Sequence, residues 1–435
     1  MKKTHLLTLG ITFLLVVGCT QATEIAPTKQ PAASVVRSTE IQSPTAVNSQ
    51  RINFTTSGII ANDEIWRDEI HITGDIEFAN EATLTIEPGT IIYIASNSDD
   101  RQANDTGGCF DEITCKYGDP TLNVGWGANA TSIDGRGGEI FAVGTADEPI
   151  VFQPEGENTS TSQWAGLYIE KGSLKYSKLL YGNGLQVLGQ PGDVEISFNE
   201  IRYCLIDCFG VFKEDVWIHH NIIEGGGHQA MGIQSNNILI EHNIVLHGNL
   251  GINIEGDGPN GATNVIVRNN LIIDCGNGIS LHGQNVQAVN NTIAHIEGPP
   301  DGVYYQGELI YPVKNSWLGD RGIIIGGNET VTTVANNIIF GEFTDGILVP
   351  GSLGDGSLID FNLFWGSDYM INDPTLTAVG GSNIEQDPLF VDLLNWDLKL
   401  NPESPAIDSG FPNLTDPDGS NADIGAYGGP QADGW

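Results

Sequence analysis

The chain alternates apolar and polar positions in short runs that glycine and asparagine separate. Two segments show this best: "HNIVLHGNLGINIEG" from His242 to Gly256, and "NNLIIDCGNGISLHG" from Asn269 to Gly283. Each has an asparagine, three mostly apolar residues, a glycine turn, and then Gly-Ile opening a second alternating run. A period of two indicates strands, and the central region carries no apolar period of helical type. The pattern therefore excludes a helical solenoid and a βαβ fold.

An asparagine ends the same type of strand in successive segments and gives the length of a repeat. The gaps are 22, 22, 27, 21, 46 and 25 residues, between Asn199, Asn221, Asn243, Asn270, Asn291, Asn337 and Asn362. Three short strands in each repeat predict a solenoid of parallel strands whose coils stack about 4.8 Å apart. We expect each Asn to adopt a left-handed turn conformation. Its amide should bond the amide of the next coil, forming a ladder.

The apolar positions of the Gly-Ile strand predict the core. Successive coils should place these side chains in one continuous column: Ile252, Ile254, Ile279, Leu281, Ile323, Ile325, Ile347 and Val349. The repeats occupy residues 156–366. Residues 53–155 are expected to form an N-terminal cap and the first coils, with a polar, Gly-rich insertion at 95–138. Residues 367–435 are expected to cap the other end, and two capped ends favour a monomer.

The N-terminus has the pattern of an export signal. Lys2 and Lys3 precede an apolar run from Leu6 to Val17 that is too short to span a bilayer, and Gly18-Cys19 follows. The segment resembles a bacterial lipoprotein signal, which implies cleavage after residue 18 and lipidation of Cys19. Residues 19–52 are rich in Pro, Ser, Thr and Gln and predict a flexible linker. We expect a protein that is exported and held at the bacterial cell envelope by lipid alone.

The charge balance restricts the partners. The chain has 55 Asp and Glu against 18 Lys and Arg, a formal charge of −37. Such a surface repels nucleic acid and anionic lipid, which bind to clustered Lys and Arg. An anionic polysaccharide would need a local basic cluster or bridging Ca²⁺. Partners that are neutral, cationic or metal-mediated are favoured.

Cysteine placement fits an exported protein. Cys109 and Cys115 bracket a short polar loop and predict a disulfide. Cys204 and Cys208 either pair or pack as small apolar residues. The spacing of Cys and His predicts no zinc site.

From about Asn53 to Trp365, the sequence resembles the right-handed parallel β-helix proteins of bacterial surfaces, the pectate-lyase-like superfamily. The segments "DPLFVDLLNWDLKLNPESPAIDSG" and "DPDGSNADIGAYGG" resemble the C-terminal region of choice-of-anchor surface proteins. The resemblance implies an all-β, single-stranded, right-handed parallel β-helix. It also implies a choice of roles, since such proteins include polysaccharide lyases, glycoside hydrolases and proteins without known chemistry.

Register counting suggests a functional face. The position four residues after each ladder Asn holds His247, Asp274 and His295 in three consecutive coils. In the β-helix proteins that this sequence resembles, the strand equivalent to Gly-Ile forms the bottom of a groove and the preceding turn forms one side. Its outward positions are counted as Phe212/Glu214, Gln234/Asn236, Asn253/Glu255 and Ser280/His282. The insertion after His295 adds Tyr304, Tyr305 and Trp317, whose rings suit sugar stacking, and Arg321.

These positions support two hypotheses. In the first, the protein is a polysaccharide lyase or glycoside hydrolase in which Asp274 or Glu255 acts with His247, His282 or His295. In the second it is a non-catalytic glycan-binding, adhesion or structural surface protein, and the polar files are a solvated face. The paired aspartates of the hydrolases and the basic motif of the lyases are not found in the coils. No cofactor is required, although "DPDGSNAD" at Asp416–Asp423 has the alternating oxygens of a Ca²⁺ loop or of an ordinary turn.

Overall fold

The computed structural model describes residues 54–95, 131–156, 164–204, 207–256, 261–296, 320–373, 375 and 378–432, and the strands 303–305 and 308–311. Among them three parallel sheets wind around one core, because every coil contributes one short strand to each sheet. The predicted parallel β-helix is confirmed. No helix in these ranges has the length and hydropathy needed to cross a membrane.

Sheet A contains the Gly-Ile strands. Its members in spatial order are β1 (Gly58–Ile60), β4 (Ile76–Phe78), β7 (Ser132–Asp134), β10 (Gly166–Ile169), β13 (Leu185–Val187), β16 (Asp207–Val211), β19 (Gln229–Ile233), β22 (Leu250–Ile254), β25 (Asn277–Leu281), β30 (Arg321–Ile325), β33 (Asp345–Leu348) and β37 (Tyr369–Asn372).

Sheet B follows sheet A in each coil. It contains β2 (Glu64–Trp66), β5 (Thr83–Ile86), β8 (Glu139–Val143), β11 (Gly172–Lys175), β14 (Val194–Ser197), β17 (Val216–His219), β20 (Ile238–Glu241), β23 (Ala262–Arg268), β26 (Gly283–Val289), β31 (Asn328–Ala335) and β34 (Ser352–Leu353), with β35 (Leu358–Asp360) also paired to β31.

Sheet C completes each coil. It contains β3 (Glu69–Ile72), β6 (Ile91–Ile94), β9 (Ile150–Pro154), β12 (Ser177–Leu180), β15 (Glu200–Cys204), β18 (Ile222–Gly225), β21 (Ile244–Leu246), β24 (Leu271–Ile273), β27 (Thr292–Ala294), β32 (Ile338–Phe340), β36 (Leu363–Trp365) and β38 (Ile384–Glu385). Outside the coils, β28 (Val303–Tyr305) pairs with β29 (Glu308–Tyr311), and β39 (Phe390–Asp392) leads through a 3₁₀ helix (Leu393–Asn395) to β40 (Asp397–Leu400).

The core is the predicted apolar column. All eight predicted inward side chains of sheet A are at most 1% exposed. Inward residues of sheets B and C, such as Val267 and Ile272, close the column from the other two sides. Burial of these aliphatic side chains is the main favourable contribution to the fold.

The ladder asparagines lie in the turn between sheets B and C. From Asn221 through Asn362, each Oδ1 accepts from both the backbone N–H and the side-chain amide of the preceding ladder residue at 2.9–3.1 Å. Asn383 continues the ladder by accepting from Asn362 at 3.1 Å. Seven successive asparagines are at most 1% exposed, so the turn has a fully hydrogen-bonded polar interior.

The expected left-handed conformation of the ladder Asn was wrong. Positive φ belongs to the residue immediately before it, for example His220 at 55°, Asn269 at 52° and Phe361 at 57°. The chain reverses at that residue, and this turns the following Asn side chain inward toward its neighbours in the ladder.

Two predicted segment boundaries differ from the structure. The expected insertion at 95–138 ends earlier, because Ser132–Asp134 is a strand of sheet A that pairs with β4 and β10. At the other end, β37 and β38 continue the coils beyond residue 366. In both places the glycine of the Gly-Ile strand is replaced, by Ser132 and by Met370, although Asn383 keeps the ladder position beyond residue 366.

Residues 386–432 run back along the outside of sheet C. Leu398 and Ala426, both 1% exposed, cover an apolar outer surface formed by Leu246, Leu271 and Ile273. Backbone carbonyls of this segment also accept from side chains at the turn between sheets B and C. Asn269 Nδ2, for example, donates to the carbonyls of Ala426 and Gly428 at 3.0 and 2.8 Å. The predicted C-terminal cap therefore covers a side of the coil.

The cysteine question left open by the sequence is settled by geometry. Cys204 and Cys208 form a disulfide across the turn between β15 and β16, and Cys275 is a free buried thiol. Burial raises the pKa of the Cys275 thiol to about 12, so it remains protonated.

We expect Asn270→Asp to destabilise the coil strongly at neutral pH. Asn270 Nδ2 donates to the carbonyls of Ile240 and Arg268 and to Asn291 Oδ1 at 2.9–3.1 Å. A carboxylate has no donor and would face three acceptors, at a cost of about 3 kcal/mol or more. Protonation restores one donor, so the loss should shrink as pH falls from 8 to 5.

Thermal unfolding across that pH range provides the measurement. Gln287→Glu adds the same charge on the solvent side of sheet B and should change the stability by less than about 0.5 kcal/mol. Equal losses in the two variants would contradict the structural role of the ladder.

Candidate functional site

The backbone aligns His247, Asp274 and His295 in successive coils, as predicted. Their N–H groups donate to carbonyls of the next coil at 3.2, 2.8 and 2.8 Å. They occupy equivalent positions in the turn between sheets C and A, one coil apart.

Their side chains make different contacts. His247 Nδ1 lies 3.4 Å from Glu224 Oε1, and its ring contacts Trp396 at 5.8 Å between centroids. The imidazole therefore lies over the outside of sheet C. Its hydrogen bond is the largest influence on Glu224 and, with Arg202, holds the pKa of that carboxyl below its usual value against the effect of burial.

Asp274 and His295 serve the turn itself. Asp274 Oδ1 accepts from Ile296 N at 2.7 Å, and the residue is 3% exposed. His295 Nε2 donates to the Cys275 carbonyl at 2.7 Å, and its ring stacks on Phe343 at 3.8 Å. Burial lowers the pKa of His295, which keeps the ring neutral. The His247 imidazole is thus directed to the outside of sheet C, whereas Asp274 and His295 are buried and bond backbone groups of the turn, and a catalytic role of His247, Asp274 and His295 stays a prediction.

The outer face of sheet A carries the other predicted residues. We call the outward side chains of β16, β19, β22, β25, β30, β33 and β37 the sheet A face. Three files run across these coils. The first file contains Asp207, Gln229, Leu250, Asn277, Arg321, Asp345 and Tyr369, and the second contains Gly210, Gly232, Asn253, Ser280, Ile324, Leu348 and Asn372. The third file contains Phe212, Gln234, Glu255, His282 and Gly326.

The predicted register contained an error of two residues in two coils. Asn253 aligns with Gly232 and Gly210, whereas Gln234 and Phe212 align with Glu255. Glu214 and Asn236 therefore lie beyond the strands, in the turn toward sheet B, where Asn236 Nδ2 donates to Glu214 Oε1 at 3.0 Å. They are not on the sheet A face.

A glycine follows four of the seven first-file residues and explains why the file points outward there. A Cβ on Gly278 would lie 2.5 Å from the Gly322 carbonyl oxygen and 2.5 Å from Ile293 Cγ2 in the core. Gly322 meets the equivalent neighbours of the next coil at 2.5 and 2.6 Å. Because the glycine faces the core, the residue before it projects to the opposite side.

A hydrogen-bonded cluster occupies the middle of the sheet A face. Asn253 Nδ2 donates to Gln229 Oε1 at 2.8 Å and to Glu255 Oε1 at 2.7 Å. Gln234 Nε2 donates to Glu255 Oε2 at 3.2 Å. This cluster fixes the Glu255 carboxylate, and Ser280 lies one coil further along the file of Asn253. The half-buried His282 lies beside Glu255, and the absent side chain of Gly327 leaves room for its ring.

Beside this cluster, several polar side chains are buried with amide atoms that no protein group satisfies. Asn277 is 1% exposed, and neither its Nδ2 nor its Oδ1 has a hydrogen-bond partner. The same holds for both amide atoms of Gln186, also 1% exposed, which lies across Gly210 three coils before Asn253. An unpaired buried amide costs free energy, so such groups call for an explanation beyond stability.

The far end of the face contains an ion pair. Arg321 Nε donates to Asp345 Oδ2 at 3.3 Å, and Asn372 Nδ2 donates to Asp345 Oδ1 at 3.0 Å. Arg321, predicted in the insertion wall, is instead the first residue of β30 and the coil neighbour of Asn277.

Sequence reasoning missed an aspartate–histidine pair at the near end. His228 Nδ1 lies 2.9 Å from Asp207 Oδ1, while the side chain of His228 is 28% exposed. A signal for the first file was available, since Asn277, Arg321 and Asp345 each directly precede Gly-Ile. Counting from the ladder asparagine instead led to the turn.

Other predicted residues lie outside the described residues. These are Cys19, Cys109, Cys115 and Trp317, and for Tyr304 and Tyr305 only the strand is described. The suggested Ca²⁺ loop is described: Asp416 and Asp423 accept from backbone N–H groups, and burial raises the pKa of Asp423 to about 6. Within the described ranges no group of three His, Cys, Asp or Glu side chains could hold a metal ion.

Comparisons with known proteins address the fold. A family model described as "Right handed beta helix region" matches residues 158–364, and this confirms the predicted handedness. No curated protein gives a significant match to the sequence.

Similar solved structures include three lyases. A PL6 alginate lyase in complex with a trisaccharide is 12% identical over 74% of this chain and 75% of its own, with a TM-score of 0.33. The alginate lyase AlyF-OU02 with G6 is 12% identical over 87% of each chain, with a TM-score of 0.35. The pectate lyase Pel9A is 14% identical over 78% of this chain and 88% of its own, with a TM-score of 0.29. At these sequence identities and TM-scores, the similarity does not support any argument about activity.

We expect Asn277→Leu to leave the protein as stable as the wild type or to stabilise it by roughly 1 kcal/mol. The substitution removes two unsatisfied amide atoms, and Leu250 shows that the preceding coil accepts leucine at this position. Thermal unfolding of the purified variant gives the comparison. Asn270→Leu is the matched control, since it removes a fully bonded amide and should be strongly destabilising. A comparable loss in Asn277→Leu would show that Asn277 is structural.

Proposed function

We propose that the sheet A face binds a polysaccharide chain that lies along the coil axis, on a monomer held at the bacterial envelope. The observation that carries the proposal is the buried Asn277, both of whose amide atoms lack a hydrogen-bond partner. Sugar hydroxyls both donate and accept hydrogen bonds, as amides do. A glycan would therefore satisfy Nδ2 and Oδ1 together once the neighbouring groups that cover the amide move aside.

The layout of the face suits an extended ligand. First-file residues recur in every coil from Asp207 to Asp345 with a spacing of about 4.8 Å along the axis, and all of them except Leu250 are polar. Exposed aromatic rings lie toward the two ends, Phe212 at 38% exposure and Tyr369 at 62%. Such rings can stack on the apolar faces of sugars.

Retention of the protein on immobilised glycans tests the proposal. The wild type should be retained by at least one polymer of a broad panel, and Asn277→Leu should reduce that retention about 10-fold or more by removing two hydrogen-bonding atoms. Gln287→Leu, the same change on the outside of sheet B, should bind like the wild type. Retention of Asn277→Leu equal to that of the wild type, or no retention of the wild type by any polymer, would refute the proposal.

Depolymerisation is the second candidate function, and the Asp207–His228 pair favours it. The aspartate orients the imidazole through Nδ1, and the partly exposed ring is the candidate base or acid. Glu255 and His282, adjacent in the third file, are the other candidate pair. The same panel, assayed for new reducing ends and for unsaturated products, separates the two functions. A retained polymer that gives neither product identifies a binding protein.

The anchor is a separate part of the proposal and rests on the pattern ending in Gly18-Cys19. We expect Cys19→Ser to move the protein from the membrane fraction of the producing cells to the soluble or secreted fraction, because one residue carries the lipid. Fractionation and mass spectrometry of the mature N-terminus provide the measurement. Unchanged membrane association of the variant would exclude lipidation at Cys19 as the anchor.

A further inference from the structure

The charges of the sheet A face restrict the class of glycan. Three carboxylates lie on its described part: Asp207 at one end, Glu255 in the centre and Asp345 at the other end. Arg321 is the one Lys or Arg among the strand residues of this face that the structure describes, and Asp345 holds its guanidinium. The one Lys or Arg side chain on the strands of this face is therefore already paired with a carboxylate and is not available to an anionic ligand.

The cation beside the third file is also engaged. Lys213 follows Phe212 and is 4% exposed, and its ammonium donates to the carbonyl of Glu170 at 2.9 Å and to that of Gln190. Burial is the largest influence on this group and lowers the pKa of Lys213. It has a structural role in the turn and is turned away from a ligand on the strands.

The groups that do lack partners are neutral. Asn277 and Gln186 present uncharged donors and acceptors, and the Asn253 cluster surrounds Glu255 with amides. The net charge of −37 adds a long-range repulsion of polyanions that is strongest at low ionic strength. The neutral amides suit hydrogen bonding to hydroxyl groups of a ligand. The fixed carboxylates beside them repel carboxylates of a ligand.

We propose that the sheet A face selects an uncharged, hydroxyl-rich glycan and excludes polymers of uronic acid. The inference rests on the proposed glycan binding and adds the substrate class. Selection acts through the carboxylates of Asp207 and Glu255, because that of Asp345 is paired with Arg321, while affinity comes from the unpaired amides.

A matched pair of polymers tests this directly: an uncharged glycan that retains the protein, and the carboxymethylated form of the same glycan. Retention is compared in the presence of a chelator at 10 and 300 mM NaCl, alongside polygalacturonate and alginate. Binding to the uncharged polymer should change less than about 2-fold with salt, since no ion pair is formed. The carboxymethylated form should bind at least about 10-fold more weakly at low salt and recover partly at high salt.

A variant identifies the responsible charge. Glu255→Gln keeps an acceptor for Asn253 and removes one carboxylate, so discrimination between the two polymers at low salt should narrow by roughly 2- to 4-fold. Glu403→Gln removes the same charge at an exposed site of the C-terminal segment and should leave discrimination unchanged.

The outcomes are distinct. Retention on uronic acid polymers that equals or exceeds retention on uncharged ones, with chelator present, overturns this inference and leaves glycan binding intact. Retention only on a cationic amino glycan, lost in 300 mM NaCl, overturns it as well. No retention on any polymer overturns the proposed function and this inference with it.

Discussion

The structure depends on the hydrogen bonding of one coil to the next, in strands and in turns alike. Parallel strands bond their neighbours only when every coil returns to the same phase, and the turn between sheets B and C enforces that return. There a residue of positive φ, such as His242, precedes a ladder asparagine, such as Asn243, whose amide bonds those of the coils on both sides. Gly278 and Gly322 have a related role near the start of the sheet A strands, because a Cβ there would clash with a carbonyl of the next coil. These small, polar residues are what allow the aliphatic column to be continuous.

Strict stacking turns a linear repeat into files of side chains. Once the register is fixed, a residue at one position of a repeat lies above its counterpart, and a polar file becomes a surface with a regular spacing of about 4.8 Å. The same rule produces very different surfaces on the three sheets. The outside of sheet C is apolar and is covered by residues 386–432. The outside of sheet B carries ion pairs such as Lys175–Glu195 and Arg268–Glu241. The sheet A face holds amides and carboxylates, several of them buried and some without partners.

The hydrogen bonding of the buried amides distinguishes residues that stabilise the fold from those that we propose bind a ligand. The ladder asparagines are buried and fully bonded, and they support the fold. Asn277 is equally buried, but its side-chain amide has no hydrogen-bond partner, and a leucine occupies the equivalent position in the preceding coil. Natural proteins retain such unfavourable groups where a ligand uses them. The acidic composition also affects the sheet A face. Arg321 is neutralised by Asp345, and this is consistent with the proposed preference for uncharged over anionic ligands.

The sequence by itself determined the parallel coil, the ladder positions and the inward column, because all three follow from the period of the repeat. It also placed Asn253, Glu255, Ser280 and His282 on one face. Tertiary structure decided what the period does not encode. A two-residue miscount had placed Glu214 and Asn236 on the face, and the observed pairing puts them beyond the strands, since strand ends are set by neighbouring coils. The file of His247, Asp274 and His295 was correct for the backbone, but the contacts of the three side chains differ and were not readable from the repeat, since each depends on its local surroundings. The Asp207–His228 pair, the Arg321–Asp345 pair and the bare amides of Asn277 became visible only when burial and partners could be measured, because these are properties of contacts between coils that no single repeat contains.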